Sequence, residues 1–272
     1  MGNWTLETIA WDRFDASKVD PEILRNIKAA ALVERNGGDY GIYLGRVFAD
    51  DPAFMEAVDT WAVEEVQHGM ALGRWAEMAD PTWNFDKAFE RFRAGYRLPL
   101  DASGSVRGSQ AGEMMARCIV ETGTSSYYSA LKDASAEPVL KQICAKIAAD
   151  EFRHYKLFYD HLRRCLARDR LSRLARLRIG WGRLAESEDD ELAYAYFAAN
   201  EPAEAVYDRK RCARAYARRA YPLYRESHVQ RAMAMVLKAV GLKPQGRLNS
   251  LMTRAGLWFL RRNATRYAAQ GA

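Results

Sequence analysis

The pattern Glu, about thirty residues, Glu-x-x-His occurs twice in this chain, and it constrains the fold more than any other feature. In the first copy Glu34 precedes Glu65 by 31 residues and His68 follows; in the second Glu121 precedes Glu151 by 30 residues and His154 follows. Positions i and i+3 share a face of an α-helix, so each Glu-x-x-His pair aims a carboxylate and an imidazole at one spot. An interval of this length suits a helical hairpin, in which two long antiparallel helices joined by a short turn return to the same height. The pattern therefore predicts two hairpins, with four carboxylates and two imidazoles meeting at mid-height of one bundle.

Start and stop signals agree. Asp20-Pro21 opens a first helix, Asp as N-cap and Pro in the first turn, expected to run through Glu34 toward Phe48. Gly37, Gly38 and Gly41 inside it weaken the helix and leave room for a kink or a close approach by another helix. Asp50-Asp51-Pro52 starts a second helix, to about Met78, and Asp80-Pro81 ends it. Residues 81–108 read as the crossover between hairpins: one short amphipathic helix rich in aromatics, then a loop from Leu98 to Ser105. A third helix is expected over about 110–133, and a fourth from Glu137-Pro138 to about Arg168. No segment alternates as a strand would. Residues 170–272 predict three or four more helices, with breaks at the acidic stretch Glu186 to Glu191, at Tyr221-Pro222 and at Lys243-Pro244-Gln245-Gly246. The last is expected from about Leu248 to Ala269. The expected fold is all-α: a four-helix bundle in residues 1–169 and a basic helical extension, residues 170–272, packed on it.

Composition limits the setting. Of the 272 residues 49% are hydrophobic, ample for a core. No run of about eighteen apolar residues predicts a membrane span, and Met1 to Asp20 has no charged-then-apolar signal pattern. Cys118, Cys144, Cys165 and Cys212 lack C-x-x-C spacing and read as reduced, mostly buried thiols of a cytoplasmic protein. From Arg170 onward there are 20 Lys and Arg against 9 Asp and Glu, whereas the first 169 residues hold 21 against 26. The basic half is expected to be a solvated surface, or to dock an acidic protein, an anionic membrane surface or nucleic acid.

Two metal ions close together need carboxylates that bridge them and terminal ligands that complete each ion. Glu65 and Glu151 are the expected bridges, Glu34 and Glu121 the terminal carboxylates, His68 and His154 the imidazoles. Four carboxylates match the charge of two divalent irons, and oxygen ligands with two imidazoles and no thiolate cluster favour iron or manganese over structural zinc. Metal-bound imidazoles usually donate their other N–H to a carboxylate. The acids preceding the ligand glutamates suggest cross-bracing, Asp150 to His68 and Glu64 to His154. Thr124, one turn past Glu121, is a candidate to face bound dioxygen or water, with Ser125 the competitor. His161, two turns beyond His154, is an added ligand or an ordinary core or surface histidine; His228 has no partner at ligand spacing.

At this level of detail the motifs resemble a known family. Trp61-Ala62-Val63-Glu64-Glu65-Val66-Gln67-His68-Gly69 resembles the E-E-N-R-H-G motif of the soluble acyl-acyl-carrier-protein desaturases, members of the ferritin-like di-iron carboxylate superfamily. Ile147-Ala148-Ala149-Asp150-Glu151-Phe152-Arg153-His154 resembles their D-E-K-R-H-E motif, and Glu121-Thr122-Gly123-Thr124 their third-helix Glu and Thr. The likeness covers roughly residues 11–165. It departs at Val66, Gln67 and Tyr155, which leaves the ligands intact. The resemblance implies an enzyme with two irons per chain. It would use dioxygen and two electrons, from a ferredoxin-type donor, to remove two hydrogens from a fatty acyl chain carried on acyl carrier protein. It further implies a long apolar slot beside the irons, catalytic roles for Thr124 and Asp150, a buried Trp paired with Asp150 on an electron path (here Trp11), and a homodimer. That carrier is acidic, which gives the basic surface a partner; nucleic acid is not expected.

Other readings compete. A different ferritin-like di-iron oxygenase, hydroxylating, N-oxygenating or aldehyde-deformylating, has similar spacing, and His161 as a seventh ligand would favour N-oxygenation. An iron-storage or peroxide-scavenging protein is a further alternative, although storage ferritins generally lack the second histidine. A binding module with a decayed metal site would not keep all six residues.

Overall fold

Local capping decides where the long helices begin. The Asp20 side chain accepts from the amides of Glu22 and Ile23, Asp51 from Phe54, Ser109 from Gly112, and Glu137 from Val139 and Leu140. Three of these caps precede a proline whose missing N–H costs nothing at a helix start. The computed structural model describes residues 4–101, 104–185 and 190–269, and among these the fold is all-α, with no strand. Its helices are α1 (Pro21–Arg35), α2 (Gly37–Val47), α3 (Pro52–Ala79), α4 (Phe85–Gly95), α5 (Gln110–Ala134), α6 (Pro138–Asp169), α7 (Arg173–Ala185), α8 (Asp190–Asn200), α9 (Arg209–Ala220), α10 (Glu226–Val240) and α11 (Arg247–Ala269). Residues 4–20 form three short 3₁₀ turns. Ala102 and Ser103 of the expected loop, and 186–189 of the expected acidic break, lie outside the described residues.

Two antiparallel hairpins, α1–α3 and α5–α6, pack together through α3 and α6. The buried side chains form two clusters. One contains Ile27, Leu32, Leu72, Trp75, Phe92, Tyr128, Leu140 and Ile147. The other contains Leu44, Phe48, Phe54, Trp61, Met114, Ile119, Tyr155 and Phe158. Along α3 and α5 the chain passes from the second cluster to the first; along α1–α2 and α6 it passes from the first to the second. Thus α3 and α5 run the same way, which requires the long crossover carrying α4. Glu34, Glu65, Glu121 and Glu151 each fall where their helix leaves one cluster and enters the other.

The first helix is not one continuous rod, as expected, but is interrupted at Asn36. Gly37 and Gly38 follow with low helix propensity, and the buried Asn36 side chain turns to donate to Glu191 Oε1 on α8 at 3.0 Å. The glycines also permit close approach. A Cβ on Gly37 would collide with the Cβ of Glu65, one on Gly41 would lie 2.8 Å from the Ala62 Cβ, and one on Gly69 would lie 2.5 Å from the Arg35 amide. Near-bare backbone therefore meets backbone at the height of the glutamates.

The chain beyond residue 170 has five α-helices among its described residues rather than three or four, because Pro202–Asp208 separates α8 from α9 and Tyr221–Leu223 separates α9 from α10. None of them needs a core of its own. Tyr196 and Phe197 of α8 enter the first cluster and Met235 and Val236 of α10 enter the second. All four cysteines are free and buried. No described helix is long and apolar enough to cross a membrane.

Candidate metal centre

The doubled motif converges. Glu34 in the last turn of α1, Glu65 and His68 in α3, and Glu151 in α6 form one group whose ligand atoms lie within 4.8 Å of one another; Glu65, Glu121 of α5, Glu151 and His154 form a second. Glu65 and Glu151 belong to both, as bridging carboxylates would. His68 Nδ1 lies 3.5 Å from Glu34 Oε2 and 3.3 Å from Glu151 Oε1. His154 Nδ1 lies 2.9 Å from Glu65 Oε1 and 3.8 Å from Glu121 Oε2. All six residues are buried, and the two imidazole centroids are 5.8 Å apart.

The outer nitrogens are held as the cross-brace predicts. His68 Nε2 meets Asp150 Oδ2 at 3.0 Å and His154 Nε2 meets Glu64 Oε2 at 2.7 Å. An ionised carboxylate only accepts, so each Nε2 carries the proton and each Nδ1 is left for the centre. Arg153 ties the two braces together, donating to Asp150 Oδ1 and to Glu64 Oε1, the latter at 3.2 Å. Two further supports were not legible in the motif. The Tyr128 hydroxyl, seven residues past Glu121, donates to Glu34 Oε1 at 2.5 Å; that two-turn spacing was the available signal. Trp4 donates from Nε1 to Asp150 Oδ2 at 2.7 Å and its ring stacks parallel to His68; nothing local to residue 4 announces this.

The same residues make an electrostatically loaded interior. Burial and the Glu65 charge push Glu34 up to about 8, and burial and Glu151 push Glu121 well above the usual carboxylate range. Burial also opposes ionisation of Glu151, but hydrogen bonds from His154 and His68 overcome it and hold that carboxyl well below its usual value. For His68 and His154 burial disfavours the charged form, yet the facing carboxylates win and raise both imidazoles well above the ordinary histidine value. A chain without metal thus keeps its four carboxylates together by holding protons.

Thr124, not Ser125, faces the centre. Its hydroxyl donates to Glu151 Oε2 at 2.6 Å, whereas Ser125 donates to the Thr122 carbonyl within its own helix. The Trp expected beside Asp150 is Trp4 rather than Trp11. Trp11 donates to the Leu6 carbonyl and lies under the Arg74 guanidinium, because the 3₁₀ turns carry the N-terminal segment across α3 and α6 and leave residue 4 at the ligand level. His161 packs on Phe54 and takes no part in either group. His228 accepts from the Arg225 amide and pairs with Asp133, fastening the start of α10 to the end of α5.

These residues fit a metal ion in each group. Buried polar atoms are ordinarily hydrogen-bonded. Here Glu34 Oε2, Glu65 Oε1, Glu151 Oε1, His68 Nδ1 and His154 Nδ1, all ligand atoms, have no hydrogen-bond partner. Five orphaned donors and acceptors in one place are what a cation would satisfy, and the carboxylate-and-imidazole set without thiolate suits iron or manganese. The depression that reaches the site, about 500 Å³, opens beside Glu64, Arg153 and His154 and is also lined by Ala57, Thr60 and Trp61. It is short and mixed in polarity rather than a long apolar slot. In comparison with protein-family models and with curated proteins, the chain matches none.

Proposed function

We propose that this chain is a di-iron, dioxygen-dependent oxidoreductase of the acyl-carrier-protein desaturase type. The observation that carries the reading is the pair of ligand groups sharing Glu65 and Glu151, each completed by one terminal glutamate and one imidazole. Iron bound there supplies the redox chemistry: dioxygen and two electrons are consumed with two protons, two hydrogens leave an acyl chain, and two waters form.

Each residue then has a task. Glu34, Glu121, His68 and His154 fix one ion or the other, while Glu65 and Glu151 hold the two together. Asp150 and Glu64 orient the imidazoles and keep Nδ1 unprotonated once metal is bound. The Thr124 hydroxyl sits on Glu151 and can place a proton or a hydrogen bond where oxygen is reduced. Trp4, Asp150 and His68 form a continuous contact from the N-terminal segment to the centre, and in this reading they carry electrons inward from a ferredoxin-type donor. The acyl chain is presented as a thioester on acyl carrier protein.

The short, mixed depression beside His154 favours a second reading, oxygen insertion into a smaller substrate by the same centre. One experiment separates the two. Reduced, iron-loaded chain is incubated with acyl-carrier-protein thioesters and dioxygen, and products are weighed by mass spectrometry. Loss of two hydrogens supports desaturation; gain of oxygen supports the second reading. No turnover with any acyl thioester, in a chain that binds two irons, contradicts the acyl assignment.

A further inference from the structure

The last helix has its polarity inside out. The buried face of α11 consists of Asn249, Thr253, Leu257 and Asn263. Asn249 donates to the carbonyls of Gln230 at 3.1 Å and Pro244 at 2.7 Å, and Thr253 donates to Asn249 Oδ1. These bonds fix the helix with its polar side against α10. The opposite face carries Leu248, Leu251, Trp258 and Phe259 at helical spacing, Leu251 61% and Trp258 60% exposed. Single exposed apolar side chains are ordinary, but a contiguous stripe along a helix marks a docking face.

The charges around this stripe have one sign. Residues 227–272 contain eight Lys and Arg and no Asp or Glu. Arg254, Arg261 and Arg262, with Thr265 and Trp258, line an open depression of about 600 Å³ in which Glu226 is the one acid. The Arg262 guanidinium lies 5.0 Å from the Trp258 ring centre. Helix α7, which also packs on α10, repeats the composition: Leu174 and Trp181 are 77% and 76% exposed among four arginines and no acid.

We propose that α11 docks on an anionic lipid surface, with Leu251, Trp258 and Phe259 entering the headgroup layer and Arg254, Arg261 and Arg262 meeting the lipid phosphates. A helix that lies in an interface has a Trp, Phe and Leu face bounded by arginines, and Trp is the side chain that interfaces favour. An acidic protein would match the arginines; the bulky apolar residues projecting on the outermost face fit a lipid layer better. Attachment is peripheral, since no described helix can cross a membrane. The site is independent of the metal centre.

Co-sedimentation of the full chain with phosphatidylcholine vesicles, with and without phosphatidylglycerol, tests this. Sedimentation is expected only with phosphatidylglycerol and should weaken as salt is raised. Arg254→Gln/Arg261→Gln/Arg262→Gln should lower partitioning roughly hundredfold, and Leu251→Ser/Trp258→Ser/Phe259→Ser by more than about tenfold. Both variants alter exposed positions, and circular dichroism with metal content checks that each remains folded. Three results overturn the proposal. The first is equal sedimentation with neutral vesicles or none with anionic ones. The second is sedimentation of both variants like the parent. The third is a chain that ignores vesicles but binds polyglutamate, or self-associates in a way the serine variant abolishes; the face would then serve an acidic partner or a second copy.

Discussion

His68 and His154 occupy equivalent places in the two halves of the candidate centre, yet their surroundings differ. His68 is fully buried, stacked under Trp4, and its brace Asp150 also accepts from the indole. Across the centre, Glu34 is pinned by Tyr128. His154 is braced by Glu64, which is shared with the half-exposed Arg153 and opens on the 500 Å³ depression. One half is closed and tied into the core; the other is open to what arrives from solvent. The difference assigns work: the closed half holds metal and passes charge, and the open half admits small molecules.

The sharpest way to break this comparison is to remove a shared ligand. Glu151→Ala should empty both halves, whereas Glu34→Ala should empty only the closed one, as read by elemental analysis of the reconstituted chain. Loss of a single ion from both variants would deny the sharing. Proton release is the next largest effect. At neutral pH the metal-free chain holds protons on Glu34 and on both imidazoles, so metal uptake must expel them and apparent affinity must rise with pH. Calorimetry in buffers of different ionisation heats reads this directly. The stability of the metal-free chain moves the opposite way. Raised imidazole values stabilise below the ordinary histidine range and lose that contribution as pH climbs through the raised values. Glu34 adds a penalty that grows between its ordinary value of 4.5 and about 8. Its melting temperature should therefore fall across that range.

Smaller effects sharpen the contrast. Asp150→Asn should weaken metal binding about 10–100-fold, and Glu64→Gln should fall at the low end of that range because solvent can replace it, measured by chelator competition. Trp4→Phe removes one buried hydrogen bond and should cost about 1 kcal/mol of stability, detected by denaturant unfolding. It should also slow reduction of the centre by an external donor, while Trp11→Phe leaves that rate unchanged.

Much of this centre could be read from residue order because it is built on helices. Helical spacing carries a motif such as Glu151 and His154 into space without any knowledge of packing, and two equal intervals align the hairpins. The cross-braces were legible for the same reason, one residue before each ligand glutamate. Contacts made by irregular segments were not. Trp4 reaches Asp150 only because three 3₁₀ turns route the N-terminus over α3 and α6, and hydrophobic periodicity has no signal for that path. Asn36 interrupts the first helix because Glu191, 155 residues away, takes its amide. The inversion of α11 was hidden as well: its arginines could be counted, but which face turns inward depends on the carbonyls of Gln230 and Pro244.

Anaerobic titration of the metal-free chain with ferrous iron, followed by elemental analysis after desalting, tests the paired centre most directly. The shared glutamates predict a break at two irons per chain, lost together in Glu151→Ala. A break at one iron, or a chain that retains a single zinc and rejects iron, would contradict it.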